Sequence, residues 1–199
     1  MKTWERLHLL NLSFLGSGYG RDELMTYVVR KLRKTSPVAE FNCGDQELND
    51  FVRNEAIDYQ NARLSTTYLL ISMEQHVDAF FSLAHDRISL SDFENKTDFN
   101  RFRKKRFPNA KRMKSYPSIK ICRLGVSIHL KNMHIGTYLI DLIKRMYYSD
   151  IKAGCRFVTM DAYRAAIPFY EKNGFIPLNK DDEDDPTRVL YFDLMDLDA

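Results

Sequence analysis

Residues Lys131 to Thr137 stand where one periodicity ends and another begins. Before them, Leu124, Val126 and Ile128 alternate with Gly125, Ser127 and His129, the two-residue period of a strand. After them, Ile135, Leu139, Leu142, Ile143 and Met146 recur along one helix face. A strand that passes through a short polar turn into a helix aims several backbone N–H groups at one point. With the positive end of the helix dipole behind them, those donors suit phosphate oxygens. The chemistry expected at this junction is the holding of a pyrophosphate-bearing small molecule.

A second group of residues could also meet phosphates. Arg101, Arg103, Lys104, Lys105, Arg106, Lys111, Arg112 and Lys114 follow one another with no acid after Asp98, and Phe99, Phe102, Phe107 and Met113 are interleaved. Two readings stand side by side. The stretch is an amphipathic helical insertion with a solvated basic face, or it is a surface for phosphates, those of an RNA backbone or of the small molecule. The formal net charge of +3 understates the cluster, because acids elsewhere, such as Asp181 to Asp185, offset it.

The elements that must position these residues follow in order along the chain. Gly16, Gly18 and Gly20 cluster with no Gly-Lys-Ser/Thr after them, so residues 1–24 are expected as a flexible or appended lead-in rather than a phosphate loop. Met25 is expected as the natural start, ahead of a first strand from Thr26 to Lys31. Phe41 to Asp45 is a turn, with Gly44 free to take positive φ and Asp45 placed to cap a helix. Leu48, Phe51, Val52, Ala56 and Tyr59 give that helix its apolar stripe. Leu64–Met73 and Val77–Leu90 form a hairpin of strands, and the basic insertion spans Ser91 to Ser115. The strand Ile119–Ile128 and the helix running to about Tyr148 come next. Phe157–Ala162 is a strand, and Arg164–Lys172 a helix closed by Asn173-Gly174. Phe175–Leu178 and Arg188–Leu194 are the last strands. The order predicts a mixed α/β sheet with helices on both faces.

The 199 residues, 44% hydrophobic, suit a single domain from residue 25 to 199. Cys43, Cys122 and Cys155 are odd in number and far apart. That argues against a disulfide framework or a metal site and for a reducing cytoplasm. No apolar run is long enough to span a bilayer, and Leu7–Leu15 is too interrupted to serve as a secretory signal.

Two stretches together resemble the GNAT superfamily of N-acetyltransferases. One is Arg123 to Ile143. The more specific is Asp161 to Phe175, DAYRAAIPFYEKNGF. A narrower resemblance is carried by Phe41 to Phe51, FNCGDQELNDF, similar to F-D-C-G-x-x-x-L-N-x-F, and by Pro117 to Val126, PSIKICRLGV, similar to P-x-x-x-L-x-R-L-A-V. Both belong to one GNAT branch, which includes toxins of toxin–antitoxin pairs that acetylate the α-amine of aminoacyl-tRNA. The likeness covers roughly Thr26 to Leu194. The phosphate loop departs from the family's Gln/Arg-x-x-Gly-x-Gly/Ala. Lys131 replaces Gln or Arg, and His134 stands where glycine is expected, so its side chain must point away from the phosphates or the loop must shift.

The resemblance implies a GNAT-like sheet, mixed and mostly antiparallel, with the basic insertion before its central strand. It implies acetyl-CoA as cosubstrate, with the pyrophosphate at Lys131, Asn132, Met133, His134, Ile135, Gly136 and Thr137. The pantetheine amides would pair with the strand end Leu124, Gly125 and Val126, where Gly125 would permit close approach, and Phe169 joins the cofactor contacts. A backbone N–H near Val126 would stabilise the developing oxyanion, and Tyr170 would protonate the departing thiolate. His134 is not expected as a base, since its loop faces phosphates. Base candidates are His85, Asp86 and water beside Arg123. Substrate contacts are expected at Arg123, His85, Arg103, Lys104 and Lys105, although Arg123 could equally pair with a carboxylate. The acceptor would be a primary amine, with aminoacyl-tRNA favoured by the basic insertion over a small amine or a protein N-terminus. The implied partners are an antitoxin and a second copy of the chain. The competing class is a non-catalytic module on the same fold.

Overall fold

Thr, Tyr, Leu and Ile crowd the runs that become strands, as side chains that pack well on a pleated surface do. The structure, a computed structural model, describes residues 8–13, 24–107, 113–149, 153–179 and 185–198. The chain divides into two compact units, and neither is continuous in sequence. The first takes the chain up to Ala84 together with Cys122–Leu139, and the second takes His85–Ile121 together with everything from Ile140.

In the first unit β1 (His8–Ser13), β2 (Leu24–Lys31), β3 (Thr66–Ser72) and β4 (Val77–Ser89) follow the order β1-β2-β3-β4, each pair antiparallel. Part of the expected lead-in is thus a strand paired with β2, while residues 1–7 and 14–23, with the glycine cluster, lie outside the described residues. The expected β3–β4 hairpin forms, and the hydroxyls of Thr67 and Ser82 meet across it at 2.6 Å in a fully buried pair. The core gathers Leu32, Phe41, Phe51, Val52, Ala56, Leu69 and Phe80. Phe80 lies at its centre, edge-on to Phe41 with ring centroids at 5.3 Å and stacked on Phe51 at 6.2 Å.

The single helix expected after Asp45 is divided. The Asp45 side chain caps α1 (Gln46–Asp50) by accepting from the Leu48 N–H. A π-helical turn, Phe51–Glu55, then leads into α2 (Ala56–Asn61), and the Ala56 N–H reaches back to the Phe51 carbonyl. The wider turn lets Phe51, Val52 and Ala56 all enter the core, which a regular 3.6-residue pitch would spread over a broader arc.

In the second unit the strand order is β5-β6-β8-β7, with β5 (Ser115–Val126) entering at its N-terminal half. β6 (Phe157–Tyr163) runs parallel to β5 from Ser118↔Phe157 to Lys120↔Thr159. β8 (Thr187–Asp193) pairs antiparallel with β6 and with the short edge strand β7 (Ile176–Pro177). The basic insertion contributes α3 (Lys96–Arg106), whose first N–H groups are capped by the Asn95 side chain. Its Phe99 and Phe102 pack with Ile88, Tyr116, Phe157 and Tyr191. The remaining helices are α4 (Ile135–Ser149) and α5 (Ile167–Lys172).

Gly125 shows why its position in β5 must be glycine. A Cβ there would stand 2.7 Å from Cε1 of Phe80 and 3.4 Å from Cζ of Phe41. The space is filled by the core, so Phe80 by itself is a sufficient reason for the glycine. Gly125→Ala must displace the Phe80 ring, and a small-to-large change in a packed core costs about 1–3 kcal/mol. Urea unfolding of Gly125→Ala should show a loss of that size, and an unchanged midpoint would remove Phe80 as the cause.

Candidate functional site

The loop Lys131–Thr137 is built from the end of β5. The Ser127 N–H donates to the Asp78 carbonyl at 2.8 Å, and the Ile128 N–H donates to the Asn42 carbonyl at 2.9 Å. One 3-10 turn, Ile128–Leu130, brings the chain to Lys131. Asn132 and His134 then take left-handed backbone, with φ of +66 and +57. His134 thus adopts the conformation for which glycine is the easier residue, and its side chain is exposed. The imidazole thus stands in solvent on a left-handed turn without a glycine.

The Tyr138 N–H is bonded to the His134 carbonyl at 3.0 Å. The N–H groups of Ile135, Gly136 and Thr137 precede it and are the orphan donors of the first turn of α4. Lys131 is exposed beside them. This donor set fits a pyrophosphate, because it offers backbone N–H groups and one ammonium and no carboxylate.

The turn Phe41–Asp45 carries the loop. The Asn42 side-chain carbonyl accepts from the Gly44 N–H at 2.9 Å and from Nδ2 of Asn49 at 3.1 Å. The side-chain carbonyl of Asn49, a buried residue, accepts from the Cys43 N–H at 2.9 Å. Gly44, at φ +84, lies under the side chains of Ile128 and Lys131. The FNCGDQELN motif is therefore the seat of the Lys131–Thr137 loop, a role that its sequence alone did not disclose. Burial pushes the Cys43 thiol up from its ordinary pKa, which makes it a poor nucleophile. Arg123 takes the structural alternative, lying 3.3 Å from Glu47 of α1 and over the Phe51 ring at 5.1 Å.

The second unit holds Phe169 and Tyr170 on α5. Their rings meet edge-on at 5.0 Å, and Tyr170 meets Phe175 at 5.9 Å. The Tyr170 carbonyl accepts from the N–H groups of Asn173 and Phe175 at 3.0 and 3.1 Å. Burial pushes the Tyr170 phenol up to about 12, so it stays protonated throughout the neutral range. Among the described residues, no hydrogen-bond partner meets its hydroxyl.

The same unit contains an open cavity of about 480 Å³. Five carboxylates, Asp86, Asp92, Glu94, Asp161 and Asp185, line it against the two cations Arg87 and Lys120. Thr159 Oγ1 donates to Asp86 at 2.7 Å, and Lys120 Nζ to Asp161 at 2.5 Å. Of the two side chains expected as bases, Asp86 lines this cavity, whereas His85 is exposed and does not. The cavity suits an ammonium rather than a phosphate.

The basic insertion proves to be of two kinds. Arg106 turns inward, with its guanidinium over Phe102 at 4.3 Å, a hydrogen bond to the Tyr191 hydroxyl and Asp193 at 3.4 Å. Arg156 meets the same buried Asp193 at 2.7 Å. Arg103 bonds to Asn100 and lies over Phe99. Lys104 and Lys105 are exposed, and they have no partner among the described residues. Lys111 and Arg112 lie outside those residues.

No protein-family model and no curated protein matches the chain. Solved structures do match. AtaT complexed with acetyl-methionyl-tRNAfMet aligns at TM-score 0.69 and 19% identity, over 86% of this chain and 97% of that one. A mutant AtaT toxin bound to the C-terminus of the antitoxin AtaR and acetyl-CoA aligns at 0.66 and 19%, over 86% and 96%. A tyrosine-to-phenylalanine mutant of KacT aligns at 0.70 and 18%, over 86% and 97%. At such identities the likeness is one of fold, and the chain has the fold of these toxins, the mostly antiparallel GNAT fold that its motifs imply.

Proposed function

We propose that the chain is an acetyl-CoA-dependent N-acetyltransferase that acts on the α-amine of aminoacyl-tRNA, as a cytoplasmic toxin restrained by an antitoxin. The observation that carries this reading is the Lys131–Thr137 loop, whose first-turn N–H groups are open, in a chain sharing its fold with a toxin solved with acetyl-CoA and with acetyl-methionyl-tRNA. No described helix is long and apolar enough to cross a membrane.

Acetyl-CoA supplies an activated thioester carbonyl, which the acceptor amine attacks. Lys131 and the N–H groups of Ile135, Gly136 and Thr137 hold the pyrophosphate, and the β5 end, Leu124–Val126, offers backbone pairing to the pantetheine. As the C–N bond forms and the C–S bond breaks, the Tyr170 phenol gives its proton to the thiolate. A free α-amino group titrates at roughly 7.7–8.0, so the acceptor needs only a weak base, and Asp86, which accepts from Thr159, is the candidate for it. The carboxylate-lined cavity suits the ammonium of the amino acid, and the exposed Lys104 and Lys105 suit the tRNA phosphates.

Tyr170→Phe should bind acetyl-CoA with unchanged affinity by calorimetry, lose about 10²-fold or more of its transfer of labelled acetyl to aminoacyl-tRNA, and relieve any growth arrest on expression. Failure of the unaltered protein to bind acetyl-CoA would sink the enzyme reading. Turnover on free amines but not on aminoacyl-tRNA would leave a transferase of another substrate class.

The handedness of the loop gives a separate check. Proline cannot take positive φ, so His134→Pro should weaken acetyl-CoA binding at least about tenfold, whereas His134→Gly should keep it within about threefold, since the contacts run through backbone. Equal affinity in both variants would refute the left-handed loop as the binding conformation.

A further inference from the structure

Lys144 is a charged residue in a place where a helix ordinarily puts an apolar one. It stands on the stripe of α4 that buries Ile140 and Ile143 and is only 7% exposed. Its ammonium donates to the Asn173 carbonyl at 2.5 Å. It also lies over two aromatic rings, 3.6 Å from the centroid of Phe192 and 5.1 Å from that of Phe175. Burial lowers its pKa to about 8, with Asp141 acting in the opposite sense.

The carbonyl it holds belongs to the residue that ends α5. A helix leaves its last carbonyls without partners, and α5 has only six residues, Ile167–Lys172, to fix its own direction. Several of the contacts that fix its end fall on Tyr170 or its neighbour. The Asn173 and Phe175 N–H groups both donate to the Tyr170 carbonyl, Nδ2 of Asn173 donates to the Phe169 carbonyl at 2.8 Å, and the Phe175 ring lies edge-on to Tyr170. Lys144 grips this corner at two points, the Asn173 carbonyl and the Phe175 ring.

We infer that Lys144 is a positioning residue, whose ammonium pins the Asn173–Phe175 corner and so fixes where the Tyr170 hydroxyl points. The inference rests on the reading of Tyr170 as the proton donor. Its structural half, that the ammonium holds the corner, stands without that reading.

The test uses Lys144→Met, which keeps the aliphatic stem and removes the charge, and Lys144→Gln, which keeps a donor for the carbonyl. In Lys144→Met, hydrogen exchange of the Asn173 and Phe175 amides should speed at least about tenfold while β6 and β8 keep their protection. In turnover with aminoacyl-tRNA, kcat should fall about tenfold or more with the acetyl-CoA Kd within about twofold. Lys144→Gln should recover part of both. On a Tyr170→Phe background, Lys144→Met should cost nothing further, because the two residues act through one proton. Unchanged exchange at the corner, or losses that multiply in the double variant, would overturn the inference. Should Lys144→Met not fold, Lys144→Gln alone decides: wild-type exchange and wild-type kcat in it together would overturn the role of the charge. If the unaltered protein binds no acetyl-CoA, the functional reading falls, while the exchange measurement still decides whether Lys144 holds the corner.

Discussion

The left-handed backbone at Asn132 and His134 is the constraint on which the candidate site depends. The helix α4 can offer its first N–H groups to a phosphate only if the chain turns sharply just before Ile135, and that turn needs positive φ at two residues that are not glycine. Each such residue costs roughly 1–2 kcal/mol, and the cost must be offset nearby. The offset is visible in the ties that fix the chain on entry. The backbone of Ser127 is held by Asp78 and that of Ile128 by Asn42, while Asn49 holds the turn containing Asn42. Asp78 is itself half-buried, with its carboxyl pKa raised by that burial, and it shares its side chain with Tyr27, whose phenol is pushed up to about 12. Strain in the loop is thus matched by a rigid seat below it.

Charge in the second unit is divided by task. The sequence shows one basic run from Arg101 to Lys114, and a count of its residues overstates what it can offer to a polyanion. Arg106 is spent on Asp193, which Arg156 also meets, in a pocket of aromatic rings. Breaking such a group by removing one partner would strand a buried charge, which is far costlier than losing an exposed ion pair. Lys104 and Lys105 remain outside, in the last turn of α3, where cations also suit the helix dipole. The carboxylates of the cavity occupy another part of the unit.

Much of the fold was legible because its signals are periodic and local. The β3–β4 hairpin, the strand-to-helix junction at Lys131, α4 and the end of α5 at Asn173 all follow from spacing and from turn residues. What escaped reading is non-local. The π-helical turn at Phe51–Glu55 answers to three aromatic rings brought together from positions 41, 51 and 80. Gly125 owes its identity to Phe80, forty-five residues away in sequence. The pairing of β1 with β2 depends on a partner strand that no local pattern announces.

The site divides in the same way. The strand-to-helix junction at Lys131 could be read from its pattern, but its support by Asn42 and Asn49 could not, since asparagine in a turn is ordinary. His85 and Asp86 are adjacent in sequence, and strand geometry separates them, because neighbours on a strand face opposite sides. Lys144 was the hardest to see. A lysine on an apolar stripe normally carries its charge out along the stem to solvent. Here Phe175 and Phe192 would pack against methionine at least as well, and a buried charge is weak ground for stability. The reason for an ammonium must therefore lie in what only a cation and donor can do. At the end of α5 that is to hold the Asn173 carbonyl while resting on the ring that abuts Tyr170. A buried charge with no advantage in stability, attached to the one helix that carries the proposed acid, is better explained by the geometry of that acid than by the packing of the core.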